Sequence, residues 1–208
     1  LIPEYQVPVI WDALTKLERV LANYPADMFA ASVEGLENGK LTLLLVRNIR
    51  ESYGAGYLDG LHFWLDEHSF VALAMNEGLE QTFYHEMFHA LETRLLSKSI
   101  ACYRWDELNP KGFEYDYDYI TNQSRDGGEY LEDTTRSFID TFSMSFPKED
   151  RARVMEYACM PGKENYFLSK TMQKKLLALC QGIREAYNLE DDPQELLWEQ
   201  YLESPIHP

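Results

Sequence analysis

The sequence predicts an α+β fold in a single domain over residues 1–208, with a small sheet followed by a mostly helical C-terminal half. A chain of 208 residues can bury one substantial core, and 45% of its residues are hydrophobic, which excludes a disordered chain. Strand-like stretches lie before residue 70, whereas apolar residues at helical spacing dominate after residue 79.

The first half of the chain predicts one helix and a small sheet. A helix is expected over Trp11–Tyr24, where apolar residues recur at helical spacing until Pro25 ends the run. Strands are expected over Lys40–Arg50, which is rich in leucine and β-branched residues, and over Leu61–Asp66, which follows a glycine-rich bend.

The second half predicts several helices separated by one irregular segment. A long helix is expected over Leu79–Leu96, and an irregular aromatic segment follows over Tyr103–Arg125 because Asn109, Pro110 and Gly112 interrupt it. Helical spacing then returns in four stretches, which are Glu129–Phe142, Pro147–Cys159, Ser169–Tyr187 and a short segment near Pro193–Tyr201.

The overall charge argues against nucleic acid as a partner. The formal net charge is −16, from 35 acidic and 19 basic residues, and no basic run could follow a phosphate backbone. No apolar run approaches the roughly twenty residues of a membrane span. The chain begins with leucine, not methionine, so we expect that a leader or anchor can precede it.

The three cysteines do not predict a metal site. Cys102, Cys159 and Cys180 are widely spaced and form no CxxC pair, so we expect buried or idle thiols and not thiolate zinc ligands. A single disulfide among them is the alternative.

The segment TFYHEMFHALE, Thr82–Glu92, contains the pattern HExxH. Because an α-helix advances about 100° per residue, His85 and His89 lie within about 40° of each other, with Glu86 beside them. The bulky apolar residues fall on the opposite side of the helix, and these are Phe83, Met87, Phe88, Leu91 and Leu95. One side of this helix is therefore expected to pack in the core, while the other presents two imidazoles and a carboxylate.

This arrangement is typical of catalytic zinc sites. Two imidazoles on one helix face bind zinc at about 2.0–2.1 Å, and the carboxylate next to the first histidine acts on the metal-activated water. We therefore expect His85 and His89 to be zinc ligands and Glu86 to be the general base. The alternative is a buried helix with two structural histidines, but a chance HExxH in such a chain has a likelihood on the order of one in a hundred.

A catalytic zinc site needs a third protein ligand. The extended pattern HExxHxxGxxH does not apply, because Glu92 occupies its glycine position and no histidine follows. An acid at the start of a later helix is the other common solution, and the stretch EYLEDTTRSFIDTF offers Glu129, Glu132 and Asp133. A solvated acidic first turn, which favours the helix dipole, remains the alternative for all three.

Together, three motifs resemble a group of bacterial zinc metallopeptidases. They are HEMFHALE, the run W-x-x-L-N-P-x-G-F-x-Y that begins at Trp105, and the Glu132-Asp133 pair. The group is similar to the gluzincin clan and, more distantly, to the protease domain of anthrax lethal factor. In it, the glutamate that opens an E-[DF]-F-A-E helix is the third ligand, which implies Glu132 here. Thr135 and Arg136 depart from that pattern.

The resemblance also implies a zincin-like fold, a zinc cofactor, a peptide or protein substrate and a location outside the cytoplasm, extracytoplasmic or secreted, in a bacterium. Two alternatives stay open on function. One is a catalytically silent zinc-containing binding module, and the other is an amidase that acts on cell-wall peptides.

Other polar residues are candidates for supporting roles. Tyr115, Tyr117 and Tyr119 alternate with acidic residues, so one side of an extended segment would carry all three phenols, and any of them could stabilise an oxyanion. Asp133 could orient a histidine, and Glu92 could orient a ligand or pair with a later arginine. His62 and His68 are assigned to the surface or to packing.

Overall fold

The computed structural model describes residues 7–37, 39–50, 56–119, 126–204 and 206. It confirms the α+β class, since a small mixed sheet is followed by a mostly helical C-terminal half. None of the described helices is long and apolar enough to cross a membrane. The chain divides into two compact units, Leu1–Leu91 and Glu92–Pro208.

The first unit combines two helices, the sheet and most of a long third helix. Its predicted N-terminal helix is confirmed as α1, and both predicted strand regions form strands. The elements are α1 (Val7–Leu21), α2 (Met28–Ser32), β1 (Lys40–Val46), β2 (Ile49–Arg50), β3 (Tyr57–Leu58), β4 (Gly60–Leu65), β5 (His68–Ala74) and α3 (Leu79–Lys98).

The main sheet has the strand order β1-β5-β4. β5 is parallel to β1 and antiparallel to β4, to which it is joined by a two-residue turn. Asp66 and Glu67 in that turn have φ values of 48° and 65°, the left-handed conformation that a tight hairpin turn requires. The central strand β5 was not predicted, because most of its side chains are buried and a short buried run lacks the alternation that identifies a strand.

The long helix α3 confirms the predicted helix over Leu79–Leu96 and extends it to Lys98. All five apolar side chains assigned to its buried side are at most 2% exposed, and these are Phe83, Met87, Phe88, Leu91 and Leu95. The helix keeps its two histidines on the opposite side, as its amphipathic spacing requires.

The second unit is helical, with short 3-10 turns between the α-helices. Its α-helices after α3 are α4 (Ile100–Tyr103), α5 (Pro147–Cys159) and α6 (Lys170–Tyr187). α5 matches its prediction to the residue, because Pro147 at the first helical position starts it. α6 begins one residue after its predicted start, where the Ser169 side chain caps the helix.

One predicted helix of this unit is wrong. The stretch Glu129–Phe142 forms no α-helix but a 3-10 turn over Gly128–Leu131, then turns and bends, and a second 3-10 turn that begins at Phe142. The Thr135 hydroxyl donates to the Glu129 carbonyl at 2.6 Å, and such local bonds compete with helix formation. The short helix predicted near Pro193–Tyr201 is a 3-10 helix over Leu197–Glu199. Part of the predicted irregular segment, residues 120–125, lies outside the described residues.

Candidate metal centre

In the first unit, α3 brings the two histidines of the HExxH pattern together. His85 is buried and His89 is partly exposed, and their Nε2 atoms are 3.3 Å apart. The two rings are nearly perpendicular, with an interplanar angle of 84°. Both imidazoles therefore direct the same nitrogen toward one point, as expected for residues four apart on a helix.

This separation fits a tetrahedral zinc ion. Bonds of about 2.0–2.1 Å place two ligands of such an ion about 3.3–3.4 Å apart. Two unprotonated nitrogens at this distance would direct their lone pairs at each other, so either a shared proton or a cation must lie between them. The histidine pair is thus chemically suited to hold a metal ion.

Glu86 lies against the start of strand β4. A Cβ atom added to Gly60 would lie 2.5 Å from Cγ of Glu86 and 2.5 Å from Cγ2 of Thr82, and 3.0 Å from Oε1 of Glu86. The backbone of β4 thus borders the Glu86 side chain, and only glycine leaves room for this contact. The Glu86 side chain, which extends from α3, therefore packs against the backbone of Gly60, the first residue of β4.

His62 on β4, which the sequence assigns only to packing or the surface, lies beside the histidine pair. Its ring stacks on that of His89, with 6.4 Å between centroids and 24° between planes, and its Nε2 lies 3.0 Å from the Ser69 hydroxyl. Alternation along β4 could have indicated this position, because His62 and Gly60 share a face of the strand.

In the second unit, the first turn of α5 carries a buried carboxylate, Glu149. The Tyr119 hydroxyl donates to Oε1 of Glu149 at 2.8 Å, and Lys148 Nζ lies 3.5 Å from the same oxygen. Glu149 was not among the predicted site residues.

The next residue, Asp150, is the centre of a buried polar network. Its Oδ2 accepts hydrogen bonds from Trp105 Nε1 at 2.7 Å, from the Tyr115 hydroxyl at 2.8 Å and from Lys175 Nζ at 2.7 Å. Lys175 is fully buried, and this burial lowers its pKa. Asp150 anchors α5 in the core of its unit.

Arg151 pairs with Glu92, the first residue of the second unit. Its Nε donates to Glu92 Oε1 at 2.6 Å, and both side chains are almost fully buried. The prediction that Glu92 pairs with a later arginine is confirmed. This ion pair fixes the first turn of α5 beside the part of α3 that belongs to the same unit.

The three acids predicted as candidates for the third ligand do not lie at the start of an α-helix. Glu129, Glu132 and Asp133 are all exposed, and Asp133 pairs with Arg136 at 3.1 Å. Glu132 follows a 3-10 turn and does not open an α-helix. Their roles as ligand or supporting residue stay predictions, but the helix on which those predictions depended does not form.

The three tyrosines occupy three different environments. Tyr115 is buried and donates to Asp150, and its burial raises its pKa well above the usual range. Tyr117 is 62% exposed, and its φ of 53° interrupts the extended backbone, so the expected row of phenols does not form. Tyr119 donates a hydrogen bond to the buried carboxylate of Glu149.

Comparison of this chain with known protein families, with curated proteins and with solved structures finds no match.

Proposed function

We propose that this protein is a zinc-dependent hydrolase, most directly a peptidase, in which His85, His89 and Glu149 hold the metal and Glu86 is the general base. The observation that supports it most is the 3.3 Å separation of the two Nε2 atoms, which matches two ligands of one tetrahedral zinc ion. The proposal replaces Glu132 with Glu149 as third ligand.

The properties of Glu149 favour this replacement. Glu149 is a buried acid at the start of an α-helix, whereas Glu132 is exposed in a turn. Imidazole and carboxylate side chains are ordinary zinc ligands, so two histidines and one glutamate make up a complete set of three protein ligands. The run Glu149-Asp150-Arg151-Ala152 also fits E-D-x-A of the motif named above, whereas Glu132 is followed by threonine at the alanine position. That extra match is the signal that could have identified Glu149.

Each residue has a distinct chemical role in the proposed reaction. Zinc, when bound, lowers the pKa of water toward about 7 and polarises the substrate carbonyl. His85 and His89 bind as neutral imidazoles, and Glu149 contributes a negative charge that balances the cation. Glu86 accepts the proton of the attacking water and then transfers it to the leaving nitrogen.

The proposal is tested by replacing Glu86 with glutamine. Glu86→Gln should retain about one equivalent of zinc but lose chelator-sensitive cleavage of a broad peptide library, because an amide cannot accept the proton. Glu80→Gln on the same helix is the control, since that residue pairs with Arg19 and lies outside the proposed site. It should cleave like the wild type.

Three outcomes would contradict the proposal or narrow it. Purified wild type that does not bind zinc would end the metal assignment. Zinc-loaded wild type that cleaves no library peptide would favour the silent binding module. Cleavage restricted to cell-wall peptides would identify the amidase.

A further inference from the structure

Glu149 receives two contacts on the same carboxylate oxygen. The Tyr119 hydroxyl donates to Oε1 at 2.8 Å, and Lys148 Nζ lies 3.5 Å from that atom. A carboxylate that binds a metal through one oxygen is usually oriented by a hydrogen bond to the other. These contacts on Oε1 can therefore fix the rotation of the Glu149 carboxylate.

Aromatic neighbours hold the Tyr119 ring in place. Its centroid is 4.4 Å from that of Phe146 and 5.8 Å from that of Phe142. Lys148 Nζ lies over the same ring, 5.8 Å from the centroid. These contacts fix the position of the phenol, although the residue is 40% exposed.

We propose that Tyr119 is a positioning residue of the metal centre, which fixes the rotation of the Glu149 carboxylate so that one oxygen faces the ion. This inference rests on the proposed function, because it needs Glu149 to be a ligand. This positioning role does not require Tyr119 to stabilise an oxyanion, which is the role that the sequence predicted for one of the three tyrosines. Tyr115 donates to Asp150 and Tyr117 is mostly exposed, so neither of them shares this geometry.

The direct test is the zinc affinity of Tyr119→Phe, measured by competition with a chromophoric chelator. The phenylalanine keeps the ring contacts and removes only the donor, so the carboxylate can rotate and zinc should bind about 10- to 100-fold more weakly. Tyr117→Phe is the matched control, because it removes a hydroxyl from the same segment, and its zinc affinity should equal that of the wild type.

A double-mutant comparison separates positioning from a general loss of structure. If Tyr119 acts through Glu149, Tyr119→Phe should have no further effect on zinc affinity in a Glu149→Gln background. The absorption spectrum of the cobalt-substituted protein should change in Tyr119→Phe, since the coordination of the ion changes. The unfolding midpoint of the metal-free protein should stay within experimental error.

The outcomes distinguish the inference from the function on which it rests. Wild-type zinc affinity in Tyr119→Phe, or an equal loss in the Glu149→Gln background, overturns the positioning role and leaves the hydrolase proposal in place. Full zinc affinity in Glu149→Gln alone overturns the third-ligand assignment instead. A wild type that binds no zinc overturns both.

Discussion

Gly60 is the residue where the backbone of β4 borders the proposed base. Any side chain here would overlap Cγ of Glu86 and Cγ2 of Thr82, both of which lie close to the α3 backbone and cannot easily move away. The position of Glu86 therefore depends on a strand residue that itself has no chemical function.

We predict that Gly60→Ala lowers kcat by at least about tenfold while zinc affinity changes less than threefold. A displacement of about 1 Å at a catalytic group can cost up to about 100-fold in rate. Gly78→Ala is the control, because a Cβ there meets its nearest atom at 3.5 Å, an ordinary contact. Wild-type turnover in Gly60→Ala, or loss of its zinc, would refute the steric explanation.

Individual site residues could be predicted from the sequence only where they lie close together along the chain. His85, Glu86 and His89 belong to one helical turn, so the sequence alone predicted their geometry. Glu149 lies sixty positions beyond His89, and no periodicity connects the two residues. His62 was underestimated for the same reason, since its contact with His89 depends on how β4 packs against α3.

The first turn of α5 combines three acidic or basic residues with separate roles. Glu149 contacts Tyr119, Asp150 anchors the core network and Arg151 pairs with Glu92. Because the Glu92–Arg151 pair is buried, loss of one partner would leave an uncompensated charge in the core.

We predict that Arg151→Met destabilises the protein by about 3–5 kcal/mol, because buried Glu92 loses its partner. The double variant Glu92→Gln with Arg151→Met should recover most of that loss, since no buried charge remains. Arg104→Met, which breaks the exposed pair with Glu107, should cost less than about 1 kcal/mol. Urea unfolding measures all three, and equal losses in Arg151→Met and Arg104→Met would contradict the prediction.

Helices with strong end signals were predicted well, and those without them were not. Pro147 starts α5 and Ser169 caps α6, so both helices follow their expected limits. The stretch Glu129–Phe142 has helical spacing of apolar residues but is preceded by two glycines and contains two adjacent threonines. Local hydroxyl bonds and turns replace the helix there, which periodicity alone cannot indicate.

Across the whole molecule, buried thiols and phenols that are neutral in the folded state determine how the free energy of unfolding changes at alkaline pH. Burial raises the pKa of Cys102 to about 11, and it raises the pKa of Cys159 and Cys180 well above the ordinary value. All three are free thiols. Burial also raises the pKa of Tyr157 to about 12. These groups stay protonated in the folded state at pH values where the unfolded chain loses its protons.

We predict that stability falls as the pH rises from about 8.5 to 10. Where the unfolded chain binds fewer protons than the folded one, the free energy of unfolding decreases with pH, by about 1.4 kcal/mol per pH unit for each thiol above its unfolded pKa. The lowered pKa of Lys175 acts in the opposite direction, but one amine does not offset three thiols. Urea unfolding under reducing conditions at pH 7.5 and 10 should show the lower midpoint at pH 10. A midpoint at pH 10 that equals or exceeds the midpoint at pH 7.5 would contradict the prediction.

The measurement that tests the central claim most directly is an anomalous difference map at the zinc absorption edge, from crystals of wild-type protein loaded with one equivalent of zinc. The account predicts one peak about 2.0–2.2 Å from Nε2 of His85, Nε2 of His89 and a carboxylate oxygen of Glu149. A peak bound by other residues, or none beside the two histidines, would contradict it.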